Sequence, residues 1–385
     1  MNELLRRYAD ALESLDAQGL LRRLPSPTTG AGPLLDFSGN DYMGLAKRPE
    51  LVEAATLAGE RHGAGATGSR LLSGNTPAHE AFEARIAADK GTEAALVFSS
   101  GYQANAACIA ALLDKTALGA EPLVFADKLN HASMHLGCAL AGARQQRYRH
   151  LDLEHLKVLL EKNAHSRQPK FILSESVFGM DGDRADIAAL QDLALRHGAL
   201  LYIDEAHATG VFGPRGFGLC EAVDLAPSTV AMGTMSKALG VGGGYVACSR
   251  ILRDYLINKA GGFIFSTAPS PLLVGAAHKA WELVPGLGPQ RAALLARAET
   301  LRQGLRGLGL DPGASTTHIV PVILGTPERT LAAKNVLASQ GIVVSAVRPP
   351  TVPQGGSRLR IGLCATHTDQ DVARLLNALA AQGKL

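Results

Sequence analysis

The chain has 385 residues; 46% are hydrophobic, 5% are aromatic and 42 are glycine. That apolar share supports a large core and excludes a mainly disordered chain. The 38 Lys and Arg against 35 Asp and Glu leave a net charge of +3, which argues against a nucleic-acid or membrane-surface protein driven by bulk charge.

The N-terminal stretch carries acids early and has no apolar leader segment, so no signal peptide is expected. No apolar run is long enough for a membrane span. Residues 3–23 alternate apolar and charged positions at helical spacing, with Pro25 and Pro27 as the stop. Strands are predicted at 94–98, 122–126, 170–174, 199–203, 229–233 and 244–248, with helices at 102–113, 152–162 and 186–197 between them. This alternation predicts an α/β fold with a mostly parallel sheet between helices. The pattern changes at Pro285–Pro289. A helix over 290–308, strands at 318–324, 342–346 and 358–363, and a helix over 369–382 predict a smaller α+β C-terminal domain. The expected division is an N-terminal helix and arm (1–49), a large domain (50–285) and a small domain (286–385). Five widely spaced cysteines, Cys108, Cys138, Cys220, Cys248 and Cys364, form no C-x-x-C pair. They point to a reducing setting, the cytoplasm, and away from a disulfide framework or zinc site.

Ligands of open α/β sheets bind beyond the carboxyl ends of the strands. Five predicted strands deliver polar residues there: Ser99–Tyr102; Asp127, Asn130 and His131; Glu175; Asp204, Glu205 and His207; Thr234, Ser236 and Lys237. Convergence of five such segments favours one site over five solvated loops. A helix opening at Gly101 presents free N–H groups to an anion, and Thr234 and Ser236 add hydroxyls. Lys237 is either a surface lysine on a Gly-rich loop or an amine nucleophile. Asp204 is either a helix N-cap or a buried carboxylate in need of a cationic partner. His131 is either a core histidine or a flat ring against a ligand. A phosphate cradle, an aldehyde-accepting lysine, a carboxylate and a flat histidine together fit pyridoxal 5'-phosphate (PLP), whose ring is an electron sink.

Other motifs fail their context. Gly63–Gly68 spells G-x-G-x-x-G but follows a helical stretch instead of a strand. Asp204–His207 spells DEAH, yet no P-loop accompanies it. His131 and His135 lack the glutamate of H-E-x-x-H, so no metal site is expected.

Several blocks carry a family resemblance: FSGNDYMGLAKRPEL (37–51), GAGATGSRLLSGNTPAHEAFE (63–83), FSSGYQAN (98–105), DKLNHASMHLG (127–137), ESVFGMDGD (175–183), IDEAHATGVFGPRG (203–216), GTMSKALGVGGGY (233–245), IFSTAPSP (264–271) and VRPPTVPQGGSRLRIGLCATHT (347–368). The chain resembles the α-oxoamine synthases, fold-type I PLP-dependent transferases. The resemblance implies that Lys237 forms the Schiff base, Asp204 pairs with the pyridine nitrogen, His207 bonds the ring hydroxyl and His131 stacks on the ring. It places Gly101, Tyr102, Thr234 and Ser236 near the phosphate, Thr267 at the phosphate of a neighbouring subunit and Glu175 at the ring edge. Arg360 is implied for the carboxylate of the amino-acid substrate, and Asn40 and His131 for substrate contact. Thr351 and Arg22, with Arg23 as the other candidate, are implied for the acyl substrate. Gly179 stands where several relatives carry serine. The implied reaction is a decarboxylative condensation of an amino acid with an acyl thioester in a cytoplasmic homodimer with its site at the subunit interface. The RPPTVP stretch leans towards L-alanine with pimeloyl-CoA or pimeloyl-acyl carrier protein, the biotin-pathway branch, over glycine-using branches.

Overall fold

The structure is a computed structural model that describes residues 2–22, 24 and 34–382; Arg23, Pro25 and Pro27 lie outside the described residues. The strands are β1 (Leu35–Asp36), β2 (Ala94–Phe98), β3 (Leu123–Asp127), β4 (Gln145–Tyr148), β5 (Lys170–Glu175), β6 (Ala199–Asp204), β7 (Thr229–Thr234), β8 (Gly244–Cys248), β9 (Ile319–Gly325), β10 (Ile342–Val343), β11 (Ser345–Val347) and β12 (Ser357–Gly362). The backbone groups into a larger unit, Asn40–Gly179 with Asp183–Ala293, and a smaller unit, Met1–Gly39 with Met180–Gly182 and Leu294–Leu385.

The larger unit is built on a seven-stranded sheet in the order β2-β8-β7-β6-β5-β3-β4. Strands β3 to β7 are mutually parallel. Strand β8 is antiparallel to both β7 and β2, so β2 points the same way as β7. All the strands that precede a candidate residue therefore end at one edge. The apolar runs are continuous because both faces are covered. Phe171 and Leu173 join the core formed with Leu96, Val246 and the helix Gly101–Leu112. Ile172, between them, joins the opposite core, with Leu201, Ile203 and the helices Leu153–Lys162 and Ile187–Arg196. Strand β4 was not expected. Its sequence QQRY has no apolar alternation because it lies at the sheet's outer edge.

The smaller unit holds the three-stranded antiparallel sheet β11-β12-β9 and the parallel pair β1-β10. The single strand expected at 342–346 is two strands in two sheets. Residues 342–343 pair with Leu35–Asp36, and residues 345–347 pair with β12. The N-terminal helix ends at Ala17 and not at residue 23, because the chain turns at Gly19 with φ +64, a conformation that glycine adopts without strain. Its Leu4, Leu5, Tyr8, Leu12 and Leu15 are exposed. The helix expected at 290–308 spans Gly288–Gly307, and the passage from one unit to the other falls inside it. No described helix is long and apolar enough to cross a membrane.

Candidate active site

Backbone register sets the site before any side chain is considered. Phe98 faces Gly244, and Gly244 faces Thr234; Glu175 and Asp204 are direct partners across β5 and β6. The turn after β7 carries Lys237 and closes through Met235 N–H to the Gly243 carbonyl (3.0 Å) and Gly240 N–H to the Lys237 carbonyl (2.8 Å). The turn after β6 carries His207, with the N–H groups of Ala208 and Thr209 on the Glu205 carbonyl at 2.9 Å. These two turns bring Lys237 Nζ to 2.8 Å from His207 Nε2. Lys237 is half-buried and His207 is buried.

Asp204 is buried. Its Oδ2 accepts from Asn105 Nδ2 at 2.7 Å and its Oδ1 from the Ala206 N–H at 2.8 Å. Asn105 is itself held by Tyr202, whose hydroxyl donates to Oδ1 at 3.0 Å. The same Asn105 amide donates to Ser133 Oγ at 2.9 Å, and Ser133 Oγ lies 2.7 Å from His131 Nδ1. His131 is the N-cap of the helix Ala132–Leu140 and is an exposed residue. One hydrogen-bond chain thus runs from Asp204 to His131. Glu175 is fully enclosed. Burial, and then the Asp204 carboxylate, push its carboxyl well above the usual range, against Lys237 and the His131 N–H.

The helix Gly101–Leu112 is capped by Ser100, whose hydroxyl accepts the Gln103 N–H at 3.1 Å. The N–H groups of Gly101 and Tyr102 precede the first intrahelical bond. A Cβ at Gly101 would lie 3.1 Å from Thr234, and one at Gly244 would lie 2.7 Å from Gly101 Cα. Only glycine lets this helix end sit so low on β7 and β8. Thr234 donates to the Gly243 carbonyl at 2.9 Å and lies 2.8 Å from Ser236 Oγ. Tyr102 is half-exposed, with its ring edge-on to His131 at 6.2 Å. Thr267 is exposed and forms an antiparallel bridge with Ser69, and its carbonyl accepts from Ser99 Oγ at 3.4 Å. Gly179 faces His207: a Cβ there would be 2.2 Å from Nε2. Asn40 accepts from the Tyr42 hydroxyl at 2.9 Å, and that hydroxyl lies 2.7 Å from His207 Nδ1.

Three expected residues belong to the smaller unit. Arg22 Nη2 donates to Thr351 Oγ1 at 3.1 Å, so the two residues implied for the acyl substrate touch. Arg348, at the start of the same RPPT loop, donates to the Gly19 carbonyl. Arg360 is buried on β12 opposite Ser345 and Pro321.

Tyr42, Asn105 and Ser133 were missed as site residues. Asn105 had a readable signal: it is a polar residue one turn after Gly101, and the rest of the helix after it, AACIAAL, is small or apolar. Tyr42 and Ser133 had none, because their partners are remote or set by a cap.

The donor set fits PLP. A helix N-terminus with two hydroxyls suits its phosphate, a half-buried amine suits its aldehyde, and a buried carboxylate held by an amide suits its ring nitrogen.

The family model of aminotransferase class I and II matches residues 33–379. The chain belongs to this family and has the fold-type I architecture of PLP-dependent enzymes. A high-resolution structure of SPT with PLP is 28% identical, superposes with a TM-score of 0.89 and is matched over 100% of this chain and 99% of its own. The 8-amino-7-oxononanoate synthase of Gluconacetobacter diazotrophicus is 48% identical over 97% of this chain and 96% of its own. The crystal structure of 8-amino-7-oxononanoate synthase from Francisella tularensis is 26% identical, with a TM-score of 0.78 over 91% of this chain and 98% of that one. The chain is an enzyme of the PLP-dependent acyltransferase type.

Proposed function

We propose that the chain condenses L-alanine with a pimeloyl thioester, on CoA or acyl carrier protein, releasing CO2 and the free thiol and giving 8-amino-7-oxononanoate for biotin synthesis. The observation that carries this reading is the Lys237–His207 pair beside the Asp204–Asn105 pair, in a chain nearly half identical to a named synthase.

PLP, when bound, supplies an electron sink for the substrate Cα. The N–H groups of Gly101 and Tyr102, with the Thr234 and Ser236 hydroxyls, hold its phosphate. Thr267 does the same for the partner subunit of a homodimer whose site lies at the interface. Lys237 would hold the cofactor through its amine, and the same amine would take the Cα proton. Asp204 keeps a proton at the pyridine nitrogen, and the amide of Asn105 keeps Asp204 in line. His131 covers the ring face, Glu175 lies at its edge and His207 meets its hydroxyl. Arg360 takes the alanine carboxylate, a planar guanidinium being suited to two-point grip. That grip would fix the orientation of the substrate's Cα–H bond, an orientation effect. Arg22 and Thr351, already in contact, take the acyl chain. The enzyme works in the cytoplasm.

The test is a product assay with alanine and pimeloyl-CoA, with glycine and acetyl-CoA as the control pair, on the wild type and on Lys237→Ala. Product from the first pair only, and none from the variant, is expected. Turnover of glycine and acetyl-CoA in place of the first pair would refute the substrate assignment.

A further inference from the structure

We propose that Tyr42 sets the tautomer of His207, so that the proton His207 gains or loses sits on Nε2, the nitrogen that faces Lys237. The inference rests on reading Lys237 and His207 as the working pair of the site.

Tyr42 is 1% exposed, so its hydroxyl answers to protein partners. The hydroxyl donates to Asn40 Oδ1 at 2.9 Å. A phenol has one proton, and an amide oxygen only accepts, so that proton is committed. The same oxygen lies 2.7 Å from His207 Nδ1. With its proton on Asn40, Tyr42 faces Nδ1 with a lone pair, and Nδ1 must carry hydrogen. A neutral imidazole has one N–H. Nε2 therefore presents its lone pair to Lys237 Nζ, 2.8 Å away. Three bonds then run head to tail: Nζ–H to Nε2, Nδ1–H to Tyr42, and Tyr42 O–H to Asn40. Each polarises the next.

The local fold holds Tyr42 for this purpose. The Tyr42 N–H bonds the Asn40 carbonyl at 2.8 Å, and the Asp41 carboxylate accepts the Leu45 and Ala46 N–H groups at 2.9 and 3.1 Å. Gly44 closes the turn at φ +68. The Tyr42 and His207 rings are 6.1 Å apart and tilted by 38°, an edge contact between polar atoms and not a stack. Gly179 leaves room at the other end of the imidazole, where any Cβ would lie 2.2 Å from Nε2. Tyr42 is thus a positioning residue: it acts through His207.

The experiment is nitrogen-15 NMR of the full-length protein freed of PLP, so that Lys237 faces Nε2 as an amine, labelled at histidine, with His207 assigned by loss of its signals in His207→Gln. As pH rises, the proton should leave Nε2 while Nδ1–H persists. In Tyr42→Phe the ratio of Nδ1–H to Nε2–H should fall about tenfold, the equivalent of one ordinary hydrogen bond. In Asn40→Leu the freed hydroxyl can donate to Nδ1, and the Nε2–H form should dominate. A wild type that keeps its proton on Nε2, or a Tyr42→Phe ratio equal to the wild type, overturns the proposal. The wild-type spectrum decides it even if a variant fails to fold. None of these readouts involves turnover, so failure here and failure of the product assay are separate results.

Discussion

Lys90→Met should destabilise the larger unit through one buried carboxylate. Lys90 is the last residue of the helix Pro77–Lys90, and its ammonium pairs with Glu205; both side chains are fully buried. Burial opposes the charge on Lys90, but the carboxylate of Glu205, with Tyr245 and Cys220, outweighs it and raises the lysine pKa. Lys90 also donates to the Phe217 carbonyl at 2.6 Å, and Glu205 accepts the Cys220 N–H at 2.8 Å. Gly218, at φ +107, covers the pair where any Cβ would sit 2.6 Å from Glu205. Removing one partner of such a pair typically costs about 3–5 kcal/mol, because the remaining charge is stranded. A 385-residue chain unfolds with about 0.8 kcal/mol/K of entropy, so the expected fall in Tm is about 4–6 °C. Lys90→Met with Glu205→Gln should recover most of it, since glutamine keeps an acceptor for Cys220 without a charge. Thermal melts of the wild type, both single variants and the double variant give the coupling. A fall under about 1 °C in Lys90→Met, or a double variant as unstable as that single one, would refute the argument.

Two further outcomes follow from the same geometry. Asn105→Leu removes the 2.7 Å bond to Asp204 and leaves that carboxylate short of a donor; the cost is about 1–3 kcal/mol, read as PLP binding weakened roughly 5- to 150-fold in a fluorescence titration, and an unchanged Kd would remove Asn105 from the site. His150 sits between Asp127 and Asp183, with each nitrogen 2.9 Å from a carboxylate oxygen and Phe178 edge-on to the ring. Burial disfavours its charge, and the two carboxylates overcome this and push its pKa up to about 9. A folded pKa above the unfolded 6.5 gives stability that is fully present below pH 6.5 and lost as pH rises through 9. Melting His150→Gln beside the wild type across that range should show a wide Tm gap at the acid end that closes above pH 9; a gap constant with pH would show that the histidine is not held charged.

Much of the site was legible because chemistry and period coincide in the chain. Runs such as ALLYID are apolar until a carboxylate ends them, and a buried strand that ends in a charge marks the edge where ligands bind. The helix opening at Gly101 was readable from the strand before it. What was not legible was the layer that holds these groups. Tyr42 reaches His207 across 165 positions, and Asn105 reaches Asp204 across 99; no local period records such a pairing. The Glu205 of the DEAH string reads like a site residue in sequence and is instead half of a buried pair with Lys90. Gly59 and Gly275 serve close packing of the helices Pro49–His62 and Pro271–Leu283, where a Cβ would meet Leu272 at 2.6 Å and Ala58 at 2.5 Å.

The sequence by itself determined six of the seven strands of the large sheet, the shared edge at which they deliver polar residues, and the candidates Lys237, Asp204 and His131. These depend on hydrophobic period and residue type, which are local properties. Only the tertiary structure decided partners. It split IVVSAV between two sheets, because a β-rich run states that it will pair but not with what. It placed the polar QQRY at the sheet edge. It also gave Asp204 the amide of Asn105 and set Tyr42 against His207. A hydrogen bond depends on two positions being brought within about 3 Å, and that distance is a property of the folded chain, not of its order.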